Sequence, residues 1–108
     1  MKVTRYGMAL LIALPFAAMA ETPEFTIAIK EHRFNPAEVT VPAGKRIKLV
    51  IDNQDATPEE FESKTLRVEK IVPGNTKGTV TVGPLKPGSY SFFGEFHEAT
   101  AQGKLYAK

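Results

Sequence analysis

The chain has 108 residues with no cysteine, 14 basic and 12 acidic side chains, and a formal net charge of +2. Without cysteine there are no disulfides, and no thiolate can act as a nucleophile or a soft metal ligand. Lys2 and Arg5 account for the net charge, so the rest of the chain is formally neutral. Its charge therefore favours neither a nucleic acid nor an anionic membrane surface as a partner.

Residues 1–20 have the three parts of a secretory signal peptide: a basic start, an apolar run and a cleavage box. The apolar run covers residues 8–18, which is too short to span a bilayer, and Ala18-Met19-Ala20 forms the box. A retained membrane anchor is the alternative. We predict cleavage after the box, export to the periplasm, and a single domain over residues 21–108 with no membrane span after cleavage.

Short segments in which apolar and polar residues alternate fill most of this domain, and that period is typical of half-buried strands. Residues 31–35 interrupt the pattern, and turn sequences such as Pro42-Ala43-Gly44 separate the segments. No window has a sustained helical period with caps. Short strands with Gly and Pro turns predict an all-β sandwich. In chain order, the segments are 25–29, 39–41, 47–51, 59–63, 66–71, 80–82, an aromatic segment that starts at Tyr90, and 104–107.

The aromatic segment from Tyr90 runs into a polar loop that ends at Gly103. Glu95 and His97 lie two residues apart in it, so on an extended backbone their side chains would point to the same face. A carboxylate beside an imidazole at the end of a strand suits metal binding. The chain has one other histidine, His32, which we interpret as a surface residue.

A second acidic stretch lies in the middle of the chain. On an extended backbone Glu60 and Glu62 share one face while Phe61 points into the core, and Glu69 follows in the next segment. A shift of one residue in register would turn Glu59 to that face instead. The alternative interpretation is a solvated acidic surface balanced by neighbouring basic residues, because carboxylates are rarely buried.

Several motifs stand in an order and spacing that are more specific together than alone. They are Phe34-Asn35-Pro36, Val39-Thr40-Val41-Pro42-Ala43-Gly44, a strand that ends at Asn53, and the loop from Tyr90 through His97 to Gly103. This pattern resembles the cupredoxin family over nearly all of residues 21–108. The resemblance implies a cupredoxin-like Greek-key β-sandwich with a metal site at one end, formed by a mid-chain loop and a C-terminal loop.

The resemblance also shows where this chain departs from the blue-copper members. Their cysteine position falls on Gly94 and their methionine position on Gln102, while their first histidine falls within residues 58–61. Only His97 keeps its ligand type. A blue-copper centre needs the thiolate, so electron transfer by a centre of that kind is excluded.

Two stretches are similar to the periplasmic cupredoxin-domain proteins of bacterial iron-uptake systems. They are Thr57-Pro58-Glu59-Glu60-Phe61-Glu62-Ser63 and Phe93-Gly94-Glu95-Phe96-His97. That resemblance implies a protein that binds iron or copper and assists an inner-membrane iron permease or another periplasmic component. The ligands it implies are Glu60, Glu62, Glu69, Glu95 and His97.

Catalysis and a metal-free role are the remaining alternatives. The sequence has no Ser-His-Asp arrangement, no cysteine nucleophile and no glycine-rich phosphate loop, so we do not predict an enzyme. The alternative function is a metal-free interaction module whose acidic face docks on a periplasmic or inner-membrane partner.

Overall fold

The computed structural model describes residues 22–108, so the predicted signal peptide and its cleavage site lie outside the described residues. Within 22–108 no helix is long and apolar enough to cross a membrane. This part of the chain folds into nine strands and one short 3₁₀ helix over Glu95–His97. The strands are β1 Glu24–Lys30, β2 Arg33–Asn35, β3 Glu38–Val41, β4 Ile47–Asn53, β5 Glu59–Ser63, β6 Val68–Val72, β7 Lys77–Val82, β8 Gly88–Gly94 and β9 Gln102–Ala107.

The strands form two sheets, one of order β2-β1-β4-β7 and one of order β3-β9-β8-β5-β6. Both sheets are mixed, because β1 pairs with β4 in parallel and β3 pairs with β9 in parallel, while the other pairs are antiparallel. The predicted all-β sandwich is confirmed. The prediction missed β2, which lies in residues 31–35, where the alternating pattern is interrupted.

The core lies between the two sheets and follows from the alternation in the sequence. In β4, Ile47, Leu49 and Ile51 are fully buried, whereas the residues between them are partly exposed. Three phenylalanine rings pack against one another, with centroids 5.0 Å apart for Phe34–Phe92 and for Phe61–Phe92. Each buried ring of this size contributes about 1.5–3 kcal/mol of hydrophobic free energy. The buried Phe61 ring fixes which face of β5 points into the core. The positions of the glutamates of β5 follow from that.

The turn between β1 and β2 has an unusual backbone. Lys30 pairs with Arg33, so Glu31 and His32 form a two-residue hairpin loop, and their φ angles are 54° and 58°. Two positive φ angles are typical of a type I′ turn, which favours Asn-Gly, and they are costly for residues with a Cβ atom. The carboxylate of Asp55 holds the loop by accepting hydrogen bonds from the backbone N–H of Glu31 (2.8 Å) and of His32 (3.0 Å).

Candidate metal centre

Strand β5 sends its glutamates to opposite faces of the sheet. Glu59, Phe61 and Ser63 point inward and are at most 1% exposed, whereas Glu60 and Glu62 point outward and are half-buried. This agrees with the expectation that Glu60 and Glu62 share a face while Phe61 enters the core. It also answers the question of register: Glu59 points into the protein, to the face opposite its two neighbours.

On the outer face, three carboxylates converge. One oxygen from each of Glu60, Glu62 and Glu95 lies within 4.8 Å of the others, which is close enough for one cation to contact all three. Glu69 is exposed on β6 directly opposite Glu62 and contributes a fourth carboxylate. We call Glu60, Glu62, Glu69 and Glu95 the carboxylate cluster.

The negative charges of this cluster change its proton affinities. Hydrogen bonding with Glu95, together with desolvation and repulsion from that carboxylate, raises the pKa of Glu60 to about 7. The same causes raise the pKa of Glu62 to about 7, with a further contribution from Glu69. The pKa of Glu95 is lowered by its hydrogen bonds with Glu60 and Glu62. The cluster therefore holds protons that a cation would displace.

His97 lies outside the carboxylate cluster. The expectation that Glu95 and His97 point to one face assumed an extended backbone, and it is wrong because residues 95–97 form a 3₁₀ helix. Residues two apart in such a helix point in different directions, since it has three residues per turn. The imidazole contacts Glu59 instead, with Nδ1 2.6 Å from Oε2.

Glu59 is a buried carboxylate with several donors directed at it. Its Oε1 accepts hydrogen bonds from the backbone N–H of Phe96 (2.9 Å) and of Glu60 (3.0 Å), and its Oε2 accepts from His97. When Glu59 is ionised it can only accept, so Nδ1 of His97 is then the donor in this contact. Glu59 thus fixes the orientation of the His97 ring.

Gly94 makes room for this arrangement. A Cβ atom at position 94 would lie 2.6 Å from Cδ of Glu59 and 2.7 Å from Cβ of Ala101, both far inside van der Waals contact. The Glu59 carboxylate therefore fills the space that a side chain at 94 would need. Position 94 is where the resemblance places the blue-copper cysteine, so a thiolate-copper centre does not fit this chain.

His32 completes a second group of side chains. Its ring stacks on His97 with centroids 3.6 Å apart and planes inclined by 10°, and its Nδ1 lies 3.4 Å from Oδ2 of Asp55. Although burial acts to raise the pKa of Asp55, the backbone hydrogen bonds from His32 and Glu31 lower it below its usual value. We call His32, Asp55, Glu59 and His97 the imidazole cluster.

The predicted ligand set is thus divided between two places. The structure brings Glu60, Glu62 and Glu95 together with Glu69 beside them, and it places His97 in the imidazole cluster. Sequence reasoning considered Glu59 only as a register alternative to Glu60 and Glu62. It gave Asp55 no role at a site, and it interpreted His32 as a surface residue. Glu31 and His32 occupy a two-residue hairpin turn whose positive φ angles favour Asn-Gly. Two residues that are unusual in such a turn were the signal that could have drawn attention to His32. That these residues bind a metal stays a prediction.

Comparison with known proteins identifies the family of this fold. Residues 3–107 match the model of the cupredoxin-like domain. The chain belongs to the cupredoxin-like domain family. It is also 50% identical over 80 residues to an uncharacterized protein of Rickettsia prowazekii (strain Madrid E). That match covers 74% of this chain and 64% of the relative, so the chain spans less than two thirds of the relative's length.

Solved structures with a similar fold include copper proteins. Auracyanin A, a blue copper protein from Chloroflexus aurantiacus, superposes with a TM-score of 0.67 at 18% identity, covering 79% of this chain and 98% of that chain. The metal-binding domain of the Cu(I)-exporting P-type ATPase of Streptococcus pneumoniae D39 superposes with a TM-score of 0.70 at 10% identity, covering 79% and 84%. Amicyanin from Paracoccus versutus gives a TM-score of 0.63 at 19% identity, covering 82% and 83%.

At these low identities the superpositions show the fold alone. Cupredoxin-like domains are typically electron-transfer or metal-binding proteins, so a metal ion is plausible here. This chain has no cysteine to supply a copper thiolate. Oxygen and imidazole nitrogen are the donors available, and the absence of enzymatic activity stays a prediction.

Proposed function

We propose that this cupredoxin-like protein works in the periplasm, where it binds a metal ion and assists iron uptake. The observation that carries the proposal is the convergence of Glu60, Glu62 and Glu95 within 4.8 Å, with Glu69 opposite Glu62. In this proposal these four carboxylates, rather than His97, hold the iron.

The chemistry of the carboxylate cluster favours iron over softer ions. Its donors are all carboxylate oxygens, which suit hard or borderline cations such as ferrous or ferric iron and manganese. The carboxylate cluster lies on the outer face of its sheet, close to the edge, because β6 is the last strand and β5 is the strand beside it. An ion bound there would be reachable by a second protein, as transfer to an inner-membrane permease requires.

Iron binding by the purified protein tests this proposal. We expect one Fe²⁺ per chain in anaerobic equilibrium dialysis, and the double substitution Glu60→Gln/Glu62→Gln should weaken binding at least tenfold. Glu98→Gln is the matched control, since it removes one exposed carboxylate near the loop without touching the carboxylate cluster. Absence of Fe²⁺ binding by the wild-type chain, or equal affinity in the double variant, would reject the proposal.

Location and partner need separate measurements. We expect the protein in the fraction released by osmotic shock, with Glu21 as its N-terminal residue. Cross-linking in cells under iron starvation should recover an inner-membrane permease. A protein retained in the cytoplasm would contradict the periplasmic role.

A metal-free docking module is the second candidate, and one observation favours it. Phe96 and Ile71 are the exposed large hydrophobic residues of the described part, at 48% and 55% exposure. They adjoin the carboxylate cluster, since Phe96 follows Glu95 and Ile71 pairs with Glu60. If this candidate is correct, a chelator leaves partner binding unchanged, while Glu60→Lys/Glu62→Lys abolishes it.

A further inference from the structure

The members of the carboxylate cluster come from two separate parts of the chain. Glu60, Glu62 and Glu69 lie on the β5–β6 hairpin, where the pairing of the two strands fixes their spacing. Glu95 belongs to the 3₁₀ helix that follows β8. The distance between Glu95 and the other three carboxylates therefore depends on what holds this helix beside β5.

Neither strand pairing nor hydrophobic burial links the 3₁₀ helix to β5. The pairing of β8 with β5 ends where Gly94 lies opposite Phe61, directly before the helix begins. None of the three helical residues is buried, and no side chain caps the start of the helix. The backbone N–H of Ala101 donates to the carbonyl of His97, which connects the helix to its own loop and not to β5.

The Glu59 carboxylate supplies that link. Its Oε1 accepts a hydrogen bond from the backbone N–H of Glu60 (3.0 Å) and another from the backbone N–H of Phe96 (2.9 Å). The first donor belongs to a member of the carboxylate cluster, and the second belongs to the residue after Glu95. One oxygen atom thus joins the two backbone segments that carry Glu60 and Glu95.

This link does not depend on how a proton is placed between Glu59 and His97. That contact joins Oε2 to Nδ1, whereas both backbone N–H groups donate to Oε1. Glu59 is 1% exposed, so water competes little with its oxygen atoms for these donors. Because a buried N–H group without an acceptor is costly, both donors favour the position that Oε1 gives them.

We propose that Glu59 is a positioning residue for the carboxylate cluster, because its Oε1 atom sets the distance between Glu60 and Glu95 and thereby the affinity of the cluster for its ion. Glu59 does not contact the ion, since its side chain points to the opposite face of β5. This inference rests on the proposed function, in which the cluster binds iron. The competing explanation is that Glu59 only stabilises the fold.

Anaerobic titration of two Glu59 variants with Fe²⁺ tests this role. Glu59→Ala removes the acceptor, so it should weaken Fe²⁺ binding roughly 10–100-fold, as the loss of a residue that orients a metal ligand usually does. Glu59→Gln removes the same charge but keeps an oxygen acceptor for both N–H groups, so its affinity should stay within about threefold of the wild type. Equal weakening in the two variants would overturn the proposal, because the effect would then come from charge.

Ser63→Ala is the matched control for a loss of stability. Ser63 is buried on the same face of β5, next to Glu62, and its hydroxyl bonds to backbone groups of two neighbouring segments. The substitution should lower stability and leave the affinity for Fe²⁺ unchanged. A loss of affinity equal to that of Glu59→Ala would overturn the proposal.

A double-mutant cycle with Glu95 shows whether Glu59 acts through that carboxylate. In a Glu95→Ala background, Glu59→Ala should have little further effect on Fe²⁺ affinity, because no carboxylate remains for the link to position. An undiminished effect in that background would refute the positioning role.

Amide hydrogen exchange in the wild-type protein requires neither iron nor a variant that folds. Phe96 is the second residue of the 3₁₀ helix, so its N–H has no acceptor within the helix, and its protection reports the bond to Glu59. We expect it to exchange as slowly as the N–H of Ala101, and fast exchange would overturn the proposal. A protected Phe96 in a wild-type protein that binds no Fe²⁺ would reject the proposed function but uphold the link between Glu59 and the helix.

Discussion

Glu59 and Glu60 are adjacent identical residues, yet they belong to two clusters with opposite physical character. Glu59 is buried, accepts three hydrogen bonds and orients an imidazole, whereas Glu60 lies on the outer face among other carboxylates. Strand alternation places them on opposite faces, and the environment of each face then determines its chemistry. The imidazole cluster is fixed by packing and hydrogen bonds, whereas the carboxylate cluster brings groups of like charge together at the surface.

Substitutions in or beside the imidazole cluster should reduce stability more than substitutions in the carboxylate cluster. Gly94→Ala, beside Glu59, should have the largest effect. Its methyl group would overlap Glu59 and Ala101, so we expect a loss of about 1–3 kcal/mol or more in the free energy of unfolding, measured by urea denaturation. Adding Glu59→Ala should recover part of the loss, because the two side chains compete for one space.

Gly103→Ala is the matched control for that experiment. Its methyl group would overlap the Phe92 ring at 2.4 Å, which is also overpacking but does not involve Glu59. Its cost should therefore be unaffected by Glu59→Ala. Equal relief of both glycine variants by Glu59→Ala would refute the assignment of this space to the Glu59 carboxylate.

Asp55→Ala should produce the next largest effect. It removes a carboxylate that accepts from two backbone N–H groups of a strained turn, and hydrogen bonds to charged groups contribute about 1.5–3 kcal/mol each at most. We expect a loss of about 2 kcal/mol in stability and faster amide exchange at Glu31 and His32. Thermal unfolding and hydrogen exchange measure the two effects, and unchanged protection of both amides would contradict this reading of the turn.

The carboxylate cluster should have the smallest effect on stability, and that effect should depend on pH. The folded-state pKa values of Glu60 and Glu62 are raised from 4.5 to about 7, so their stabilising protonation is complete below pH 4.5 and is lost as the pH rises through 7. The lowered pKa of Glu95 acts in the opposite sense only as the pH falls below 4.5. We therefore expect a small fall in Tm between pH 5 and pH 7.5.

The effect is small because these side chains are partly exposed to solvent, which screens their charges. Glu60→Gln/Glu62→Gln should flatten the pH dependence and leave the Tm at pH 5 close to that of the wild type. Added salt should have the same flattening effect in the wild type. A Tm that rises from pH 5 to pH 7.5 would contradict the raised pKa values.

Much of the fold could be predicted from the alternation of residues. Ile47, Leu49 and Ile51 appear in the sequence at a period of two and lie buried in β4. The same rule placed Phe61 in the core and Glu60 with Glu62 outside it. It failed at residues 95–97, because a three-residue 3₁₀ helix has no periodicity of its own for a sequence to reveal.

The sequence by itself determined the sandwich, the lack of a thiolate ligand and the face shared by Glu60 and Glu62. These follow from residue type and from a local period, which act within a few residues. Only the tertiary structure decided that Glu59 fills the space beside Gly94, and that His32 and His97, far apart in the chain, stack together. Such contacts depend on how loops from different strands pack together at the end of the sandwich. A pattern of neighbouring residues in the sequence does not predict contacts of that kind.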